Sequence, residues 1–223
     1  MSAIDAIEKS LRRRFRVKTT PVTVADRELS ILHPESAEDL IDERDFERDE
    51  RLPYWAELWP SALILATRVA GMSGAGRTLI ELGCGAGLVS TSAGLSGFDV
   101  MATDYYEDAL RFARVNAVRN GAPEPRTLML DWRNLPPTLP RFDMVLASDV
   151  LYERPYGPIV ARAIDASLAD DGVALLADPG RVGRDDCVRS LGELGLGVVR
   201  RTECPYRHDS VRQTITIFEI SRR

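Results

Sequence analysis

The residues best suited to chemistry lie in one short segment, where an apolar run ends in an acid and a glycine-rich turn. Residues 78–82 form the run, with Glu81 near its end, and three glycines follow at alternate positions: Gly83, Gly85 and Gly87. Because glycine lacks a β-carbon, such a turn can bend sharply and approach a ligand closely. The segment predicts a loop that binds a nucleoside cofactor, and the alternative is an ordinary turn that merely uses glycine.

The spacing of the glycines distinguishes two cofactors. A dinucleotide loop of the pattern GxGxxG would need its third glycine at the position of Leu88. This chain has GxGxG instead, with Glu81 two residues before the first glycine. The pattern therefore favours S-adenosylmethionine (SAM) over NAD.

Later apolar runs also end in polar residues. Asp104 follows the first glycine by about 20 residues, the separation at which a carboxylate can accept both ribose hydroxyls. Asp131 and Trp132 end the next run, where a carboxylate could accept the exocyclic amine of adenine, and Ser148 and Asp149 end the one after. Because ligands of open α/β sheets bind outside the carboxyl ends of the strands, these residues are predicted to share one rim.

These motifs together resemble those of the class I, seven-strand SAM-dependent methyltransferases. They are Glu81 to Gly87, Asp104, Asp131-Trp132 and the DxxY segment from Asp149 to Tyr152, and the resemblance covers residues 53–220. The DxxY segment and the upstream residues 53–61 resemble the branch of protein-lysine methyltransferases and nicotinamide N-methyltransferase-like proteins. The resemblance implies SAM as the cofactor, S-adenosylhomocysteine as its product, and contact of the DxxY motif with the acceptor.

The DxxY residues are predicted to form the catalytic acceptor pocket. A carboxylate at Asp149 can bind an ammonium and stabilise a developing cation. A separation of three places Asp149 and Tyr152 on one side of a helical turn, so the motif is expected just after a strand. The alternative is that Asp149 caps a turn and Tyr152 packs against the sheet. Asp178, at the end of another run, is equally a rim residue or a turn former before Pro179.

Aromatic residues near the motifs are further candidates for the cofactor site. Trp55 and Trp59 precede the glycine loop, and one of them is predicted to wall the methyl site because aromatic faces attract sulfonium and ammonium cations. Trp59 is the candidate for binding the cofactor. Tyr105, directly after Asp104, could stack on adenine. Ordinary core packing is the alternative for all three. His33 and His208 lack spaced partners for a metal site or a triad, and no metal is predicted.

Composition narrows the classes of protein. With 223 residues and 44% apolar content, the chain can bury one sizeable core. A net charge of −5 gives no strong signal of nucleic-acid binding. No run approaches the ~18 apolar residues of a membrane span, and three widely spaced cysteines fit a reducing cytoplasm. A cytoplasmic protein without membrane contact is therefore expected.

The expected fold is α/β: a doubly wound, Rossmann-like sheet of seven strands, mostly parallel, with an antiparallel last strand. Residues 1–52 are predicted to form an N-terminal extension with a helix over 3–16, a hairpin turning at 25–27 and a charged helix over 35–51. Residues 53–223 are predicted to form the methyltransferase domain. The last two strands are too close in sequence for a crossover helix, so the final strand should run antiparallel.

Three functions remain open at this point. The first is SAM-dependent N-methyl transfer to a protein lysine. The second is transfer to a small nitrogen compound of the nicotinamide kind, for which Arg181 offers a guanidinium that could hold a carboxylate or phosphate. The third is a binding module that keeps the fold without catalysis, and the unbroken set of strand-end acids argues against it.

Overall fold

The computed structural model describes residues 2–37, 40, 53–208 and 210–223. The helices are α1 (Ala3–Arg14), α2 (Pro60–Ala70), α3 (Leu88–Leu95), α4 (Glu107–Arg119), α5 (Tyr156–Ser167) and α6 (Arg184–Glu193), with a 3-10 turn at Tyr54–Ala56. The strands are β1 (Val17–Val24), β2 (Arg27–Pro34), β3 (Thr78–Leu82), β4 (Asp99–Asp104), β5 (Arg126–Met129), β6 (Phe142–Ser148), β7 (Leu168–Asp178), β8 (Leu196–His208) and β9 (Val211–Arg222). Most of the charged helix predicted over 35–51 lies outside the described residues.

The main sheet confirms the predicted fold class. Its seven strands lie in the order β5-β4-β3-β6-β7-β9-β8. Strands β3 to β7 are parallel, whereas β9 runs antiparallel to both of its neighbours. From β3, the chain adds β4 and then β5 on one side of the sheet. It then returns and adds β6 on the other side of β3, so the order in which strands are added reverses between β3 and β6. That reversal is where open α/β sheets bind ligands.

Two apolar layers cover the two faces of the sheet. Successive residues of β3 alternate between them: Leu79 packs with Leu65 of α2 on one face, and Ile80 packs with Phe142 and Ile164 on the other. All five side chains are almost completely buried. A strand covered on both faces is continuously apolar, which explains why the central strands were recognisable in the sequence.

The last two strands are longer than the sequence indicates. In the sequence, the last two strand-like runs span 197–201 and 213–220, but β8 and β9 pair from Leu196↔Arg222 to His208↔Val211, with a bulge after Val198. β8 lies at the edge of the sheet, and its residues from Arg200 to Glu203 are exposed. Charged side chains are tolerated on an edge strand. The alternation of apolar and polar residues that predicts a strand therefore ends several residues before the strand itself ends.

The N-terminal hairpin is joined to the main fold by Asn116 of α4 and by Asn120, the C-cap of the same helix. Asn120 exchanges hydrogen bonds with the backbone N–H and C=O of Ser30, and Asn116 does the same with Leu32. The second N–H of the Asn116 amide donates to the carbonyl oxygen of Ala86 in the glycine loop at 2.8 Å. One side chain thus connects β2, α4 and the glycine loop.

Replacing Asn116 by Ala is expected to destabilise the protein by about 2–4 kcal/mol, because it leaves buried backbone groups of Leu32 and Ala86 without partners. Asn120→Ala removes a similar pair of bonds in an exposed position, and its expected cost is below about 1 kcal/mol. Urea unfolding of both variants measures the difference. Equal losses would contradict the assignment of Asn116 as the buried connection.

Candidate functional site

One large cleft lies at the carboxyl edge of the sheet, with a volume of about 960 Å³ including the space that opens to solvent. Its walls include residues 83–86 after β3, 104–106 after β4, 130–133 after β5 and 148–150 after β6. The four strand ends predicted to share one rim therefore do so. Of the predicted site residues, all but Glu81 and Gly87 line the cleft.

The glycine loop enters this cleft in left-handed backbone. The φ angles of Gly83, Gly85 and Gly87 are 77°, 51° and 82°, a region that residues with a β-carbon rarely adopt. A β-carbon at Gly83 would lie 3.2 Å from the ring of Trp132, and one at Gly85 would lie 3.0 Å from the carbonyl oxygen of Trp55. These two glycines keep the loop close to the aromatic walls.

Gly87 serves the packing of helices rather than the wall of the cleft. It is the N-cap of α3, and a β-carbon there would lie 2.5 Å from the Cα atom of Ala113 in α4. The third glycine of the motif is therefore required where α3 and α4 approach each other.

Glu81 lies behind the loop rather than in the cleft. It is 1% exposed, and its carboxyl group accepts a hydrogen bond from the hydroxyl of Ser90 in α3. Burial raises the pKa of Glu81 to about 8, and the nearby carboxylate of Asp104 adds to the rise. Glu81 is therefore largely protonated at neutral pH, and its hydrogen bond with Ser90 connects β3 to α3.

Glu81→Gln is expected to stabilise the protein at alkaline pH. Between the ordinary pKa of a glutamate and about 8, the folded state holds a proton that the unfolded state has lost, so stability falls as the pH rises through this range. Glutamine has no such proton and still accepts from Ser90, so the gain at pH 8 should reach a few kcal/mol and vanish near pH 4.5. Urea unfolding at several pH values measures it, with the exposed Glu193→Gln as control. A gain in stability that does not change with pH would show that it does not come from the raised pKa of Glu81.

Asp104 closes the loop from β4 and faces the cleft. Its carboxylate accepts hydrogen bonds from the backbone N–H groups of Gly85, at 2.9 Å, and of Tyr106, at 3.1 Å. Burial raises the pKa of Asp104 to about 6, although these backbone groups oppose the rise. An acid held by neutral N–H donors at the edge of a cleft is suited to accept hydroxyl groups of a ligand, as the ribose assignment requires.

The predicted adenine side contains two aromatic rings and an ion pair. Tyr105 and Trp132 line the cleft after β4 and β5. The carboxylate of Asp131 already binds a cation of the protein. Its Oδ1 accepts a hydrogen bond from the Nε of Arg133 at 2.9 Å, and its Oδ2 accepts one from the Nη2 of Arg133 at 2.8 Å. The guanidinium of Arg133 also lies 5.8 Å from the centre of the Tyr105 ring. Arg133 was missed by the sequence analysis, and its place two residues after Asp131 was the available signal.

Asp149 lies after β6, but the prediction of a helical turn at the DxxY motif was wrong. Asp149 has φ 57°, and its backbone N–H donates to the carbonyl oxygen of Ala177 in β7. The segment 150–153 contains no helix, because its backbone is tied to the loop after β7, where the N–H of Gly183 donates to the carbonyl oxygen of Leu151.

The carboxylate of Asp149 is buried and has two partners. Its Oδ2 atom accepts a hydrogen bond from the hydroxyl of Ser61 in α2 at 3.0 Å, and its Oδ1 atom binds the Nε of Arg181 at 2.6 Å. Ser61 was not predicted, and nothing in its sequence context signals contact with a residue 88 positions away. Arg181 was considered only as an anion-binding group.

Tyr152 belongs to a chain of aromatic side chains along the cleft. Its ring centre lies 4.9 Å from that of Tyr54 and 4.9 Å from that of Tyr156. The indole N–H of Trp59 donates to the carbonyl oxygen of Tyr54 at 2.9 Å, and His33 contacts the carbonyl oxygen of Ala56 with its Nδ1 at 3.2 Å. These bonds fix the 3-10 turn against the cleft. Tyr156 was missed, although it follows Tyr152 by four residues.

The groups that line the cleft suit a nucleoside with a cationic tail. They include the acid Asp104, the aromatic rings of Tyr105 and Trp132, and a glycine loop in which β-carbons would crowd the walls. In the part of the chain that the structure describes, no group of three His, Cys, Asp or Glu side chains is suited to a metal ion. No helix in the same part is long and apolar enough to cross a membrane.

Comparison with known proteins agrees with this geometry. Residues 54–213 match a protein family described as "Methyltransferase domain". The mouse protein-lysine methyltransferase METTL21E is 37% identical over 116 residues, which are 46% of this chain and 47% of that protein. The chain spans about half the length, or less, of the METTL21E relatives it matches. The zebrafish protein N-lysine methyltransferase METTL21A is 31% identical over 178 residues, covering 74% of this chain and 80% of that protein.

Solved structures show the same fold. The magnesium protoporphyrin IX methyltransferase of Synechocystis, solved with bound SAM, has a TM-score of 0.58 at 20% identity, covering 83% of this chain and 94% of that one. A ribosomal protein L11 methylase from Lactobacillus delbrueckii has a TM-score of 0.56 at 18% identity over 73% of this chain and 77% of that one. The chain therefore belongs to the class I SAM-dependent methyltransferases, in the branch that includes the METTL21 proteins.

Proposed function

We propose that this protein is a SAM-dependent N-methyltransferase that acts on the side-chain amine of a protein lysine. One observation carries the proposal: a single cleft joins Asp104 and the glycine loop to the buried Asp149 and the aromatic chain of Tyr152. The METTL21 relatives, which are named as lysine methyltransferases, support the choice of acceptor. We further propose that residues 53–223 form the catalytic domain and residues 1–52 an extension to it.

We propose that the cofactor side of the cleft consists of the predicted residues that line it. Gly83 and Gly85 would admit the cofactor closely, Asp104 would accept the ribose hydroxyls, and Tyr105 and Trp132 would contact adenine. The remaining candidates, Trp59, Asp131 and Ser148, complete the walls. When bound, SAM supplies a methyl group activated by its sulfonium and leaves as the neutral S-adenosylhomocysteine.

The protein's own contribution is mainly to position the acceptor. Holding an amine in line can supply roughly 7–11 kcal/mol of the barrier by effective molarity alone. The rings of Tyr54, Tyr152 and Tyr156 present faces that attract cations and exclude water. An apolar surrounding also lowers the pKa of a lysine amine, which must lose its proton before it can attack. Asp149 would stabilise the positive charge that develops on the acceptor.

A small-molecule acceptor is the second candidate. Arg181 supports it, because its side chain is 34% exposed beside Trp59 and could bind the carboxylate or phosphate of a small nitrogen compound. The two candidates share the cofactor site and differ only in what enters the acceptor side.

Radiolabelled SAM tests the proposal. Incubation of the protein with labelled SAM and lysate should transfer label to protein, and acid hydrolysis should recover it as methyl-lysine. Label found only in the small-molecule fraction would favour the second candidate. Calorimetry should show binding of SAM and S-adenosylhomocysteine but not of NAD, since Leu88 interrupts the dinucleotide pattern. Binding of NAD without SAM would contradict the proposal.

A further inference from the structure

The acid of the DxxY motif is already occupied by a cation of the protein itself. Both carboxylate oxygens of Asp149 have partners, the hydroxyl of Ser61 on Oδ2 and the Nε of Arg181 on Oδ1. The side chain of Asp149 is only 3% exposed. A carboxylate can accept about four hydrogen bonds, so these two do not saturate it. An ammonium is instead opposed by lack of space and by charge: Ser61 beside the carboxylate is fully buried, and Arg181, the more exposed partner, already carries the positive charge.

Among the residues that the structure describes, the side chain of Arg181 contacts Asp149 and the ring of Trp59. Only its Nε bonds to Asp149, so the pair lacks the two parallel bonds of a full arginine fork. The guanidinium carbon lies 5.3 Å from the ring centre of Trp59, and the side chain is 34% exposed. A guanidinium released from Asp149 could therefore be hydrated without opening the core.

The backbone of Arg181 is held more firmly than its side chain. The Oδ1 atom of Asp178 accepts hydrogen bonds from the N–H groups of Gly180, at 2.7 Å, and of Arg181, at 3.0 Å. Asp178 therefore forms a turn, which was one of the two interpretations from the sequence; at the end of β7 it is fully buried and is not among the residues that line the cleft. The turn keeps the side chain of Arg181 within reach of Asp149 whether or not the two are in contact.

We propose that Arg181 is an internal competitor for the acceptor: its guanidinium occupies Asp149 until an acceptor amine displaces it. This inference rests on the proposed function for the nature of the acceptor. An unpaired buried carboxylate is costly, whereas exchange of one cation for another keeps the charge compensated throughout. The pair therefore protects Asp149 in the empty enzyme and selects acceptors that can bring a positive charge or a strong donor to Oδ1.

The competition can be measured with n-butylammonium, which has the end of a lysine side chain. By calorimetry, Arg181→Gln is expected to bind it at least tenfold more tightly than the wild-type protein, because the amide leaves Asp149 without a cation. Arg181→Lys keeps the charge and should bind like wild type. The double variant Asp149→Asn with Arg181→Gln should lose the gain. Equal affinities in the wild type and a folded Arg181→Gln protein would overturn the proposal.

A measurement on the wild-type protein covers the case in which Arg181→Gln does not fold. Because Arg181 lies over Trp59, its displacement should change tryptophan emission on titration with n-butylammonium, and the change should be absent in Trp59→Phe. Calorimetric binding without any change in emission would overturn the proposal. If these differences appear but no lysine is methylated, the proposed function fails and the displacement of Arg181 stands. Lysine methylation with equal n-butylammonium affinities would overturn the displacement alone.

Discussion

Asp104→Asn is expected to weaken the binding of SAM by roughly 10- to 100-fold, because a charge-assisted hydrogen bond to the ribose is worth about 1.5–3 kcal/mol. The shape of the side chain is kept, but one carboxylate oxygen becomes an amide NH2 that cannot accept from Gly85 or Tyr106, so the loss reports the charge together with one of these backbone bonds. In the wild-type protein the affinity should also fall as the pH drops below about 6, since protonation of Asp104 removes an acceptor. In Asp104→Asn this dependence should disappear.

Calorimetry between pH 5 and 8 measures both effects, the pH range being set by the pKa of Asp104 at about 6. Asp99→Asn is a matched control, because Asp99 begins the same strand, pairs with Arg126 at the surface and lies far along the strand from the cleft. Its affinity for SAM should equal that of the wild type. Unchanged affinity in a folded Asp104→Asn protein would show that the ribose acid lies elsewhere.

Asp149→Asn is expected to lower turnover by 100- to 1,000-fold, roughly the 2.7–4 kcal/mol lost when a group that stabilises transition-state charge is removed. SAM affinity should change little, because Asp149 acts on the acceptor. Tyr152→Phe should lower turnover more weakly, since its ring contacts to Tyr54 and Tyr156 are kept.

Steady-state kinetics and calorimetry on the same preparations separate these effects. Full activity of Asp149→Asn on every acceptor, or activity lost only through weaker SAM binding, would refute the acceptor role of Asp149. The small-molecule candidate would then become the stronger one.

The site was predictable where it depended on the topology of the sheet. Parallel strands bring their carboxyl ends to one edge, so Gly83, Asp104, Trp132 and Asp149 could be assigned to one cleft from the strand ends alone. No knowledge of side-chain contacts was needed, because the positions follow from strand direction and order.

The partners of these residues were not predictable, because they come from elements distant in sequence. Ser61 and Arg181 reach Asp149 across 88 and 32 residues. A local pattern also cannot show which way a side chain points: Glu81 is directed at Ser90 rather than into the cleft. The helical turn expected at the DxxY motif failed for a similar reason, since backbone bonds to Ala177 and Gly183 determine that segment.

Asn116 and Asn120, at the end of α4, have a consequence for the solubility of the chain. A two-stranded hairpin exposes unpaired N–H and C=O groups along its edges, and such edges recruit strands from other molecules. Along the edge of β2 that faces α4, Asn116 and Asn120 bind these groups of Ser30 and Leu32 as a third strand would. The end of a helix thus covers the middle of this edge against intermolecular strand addition, the first step of aggregation.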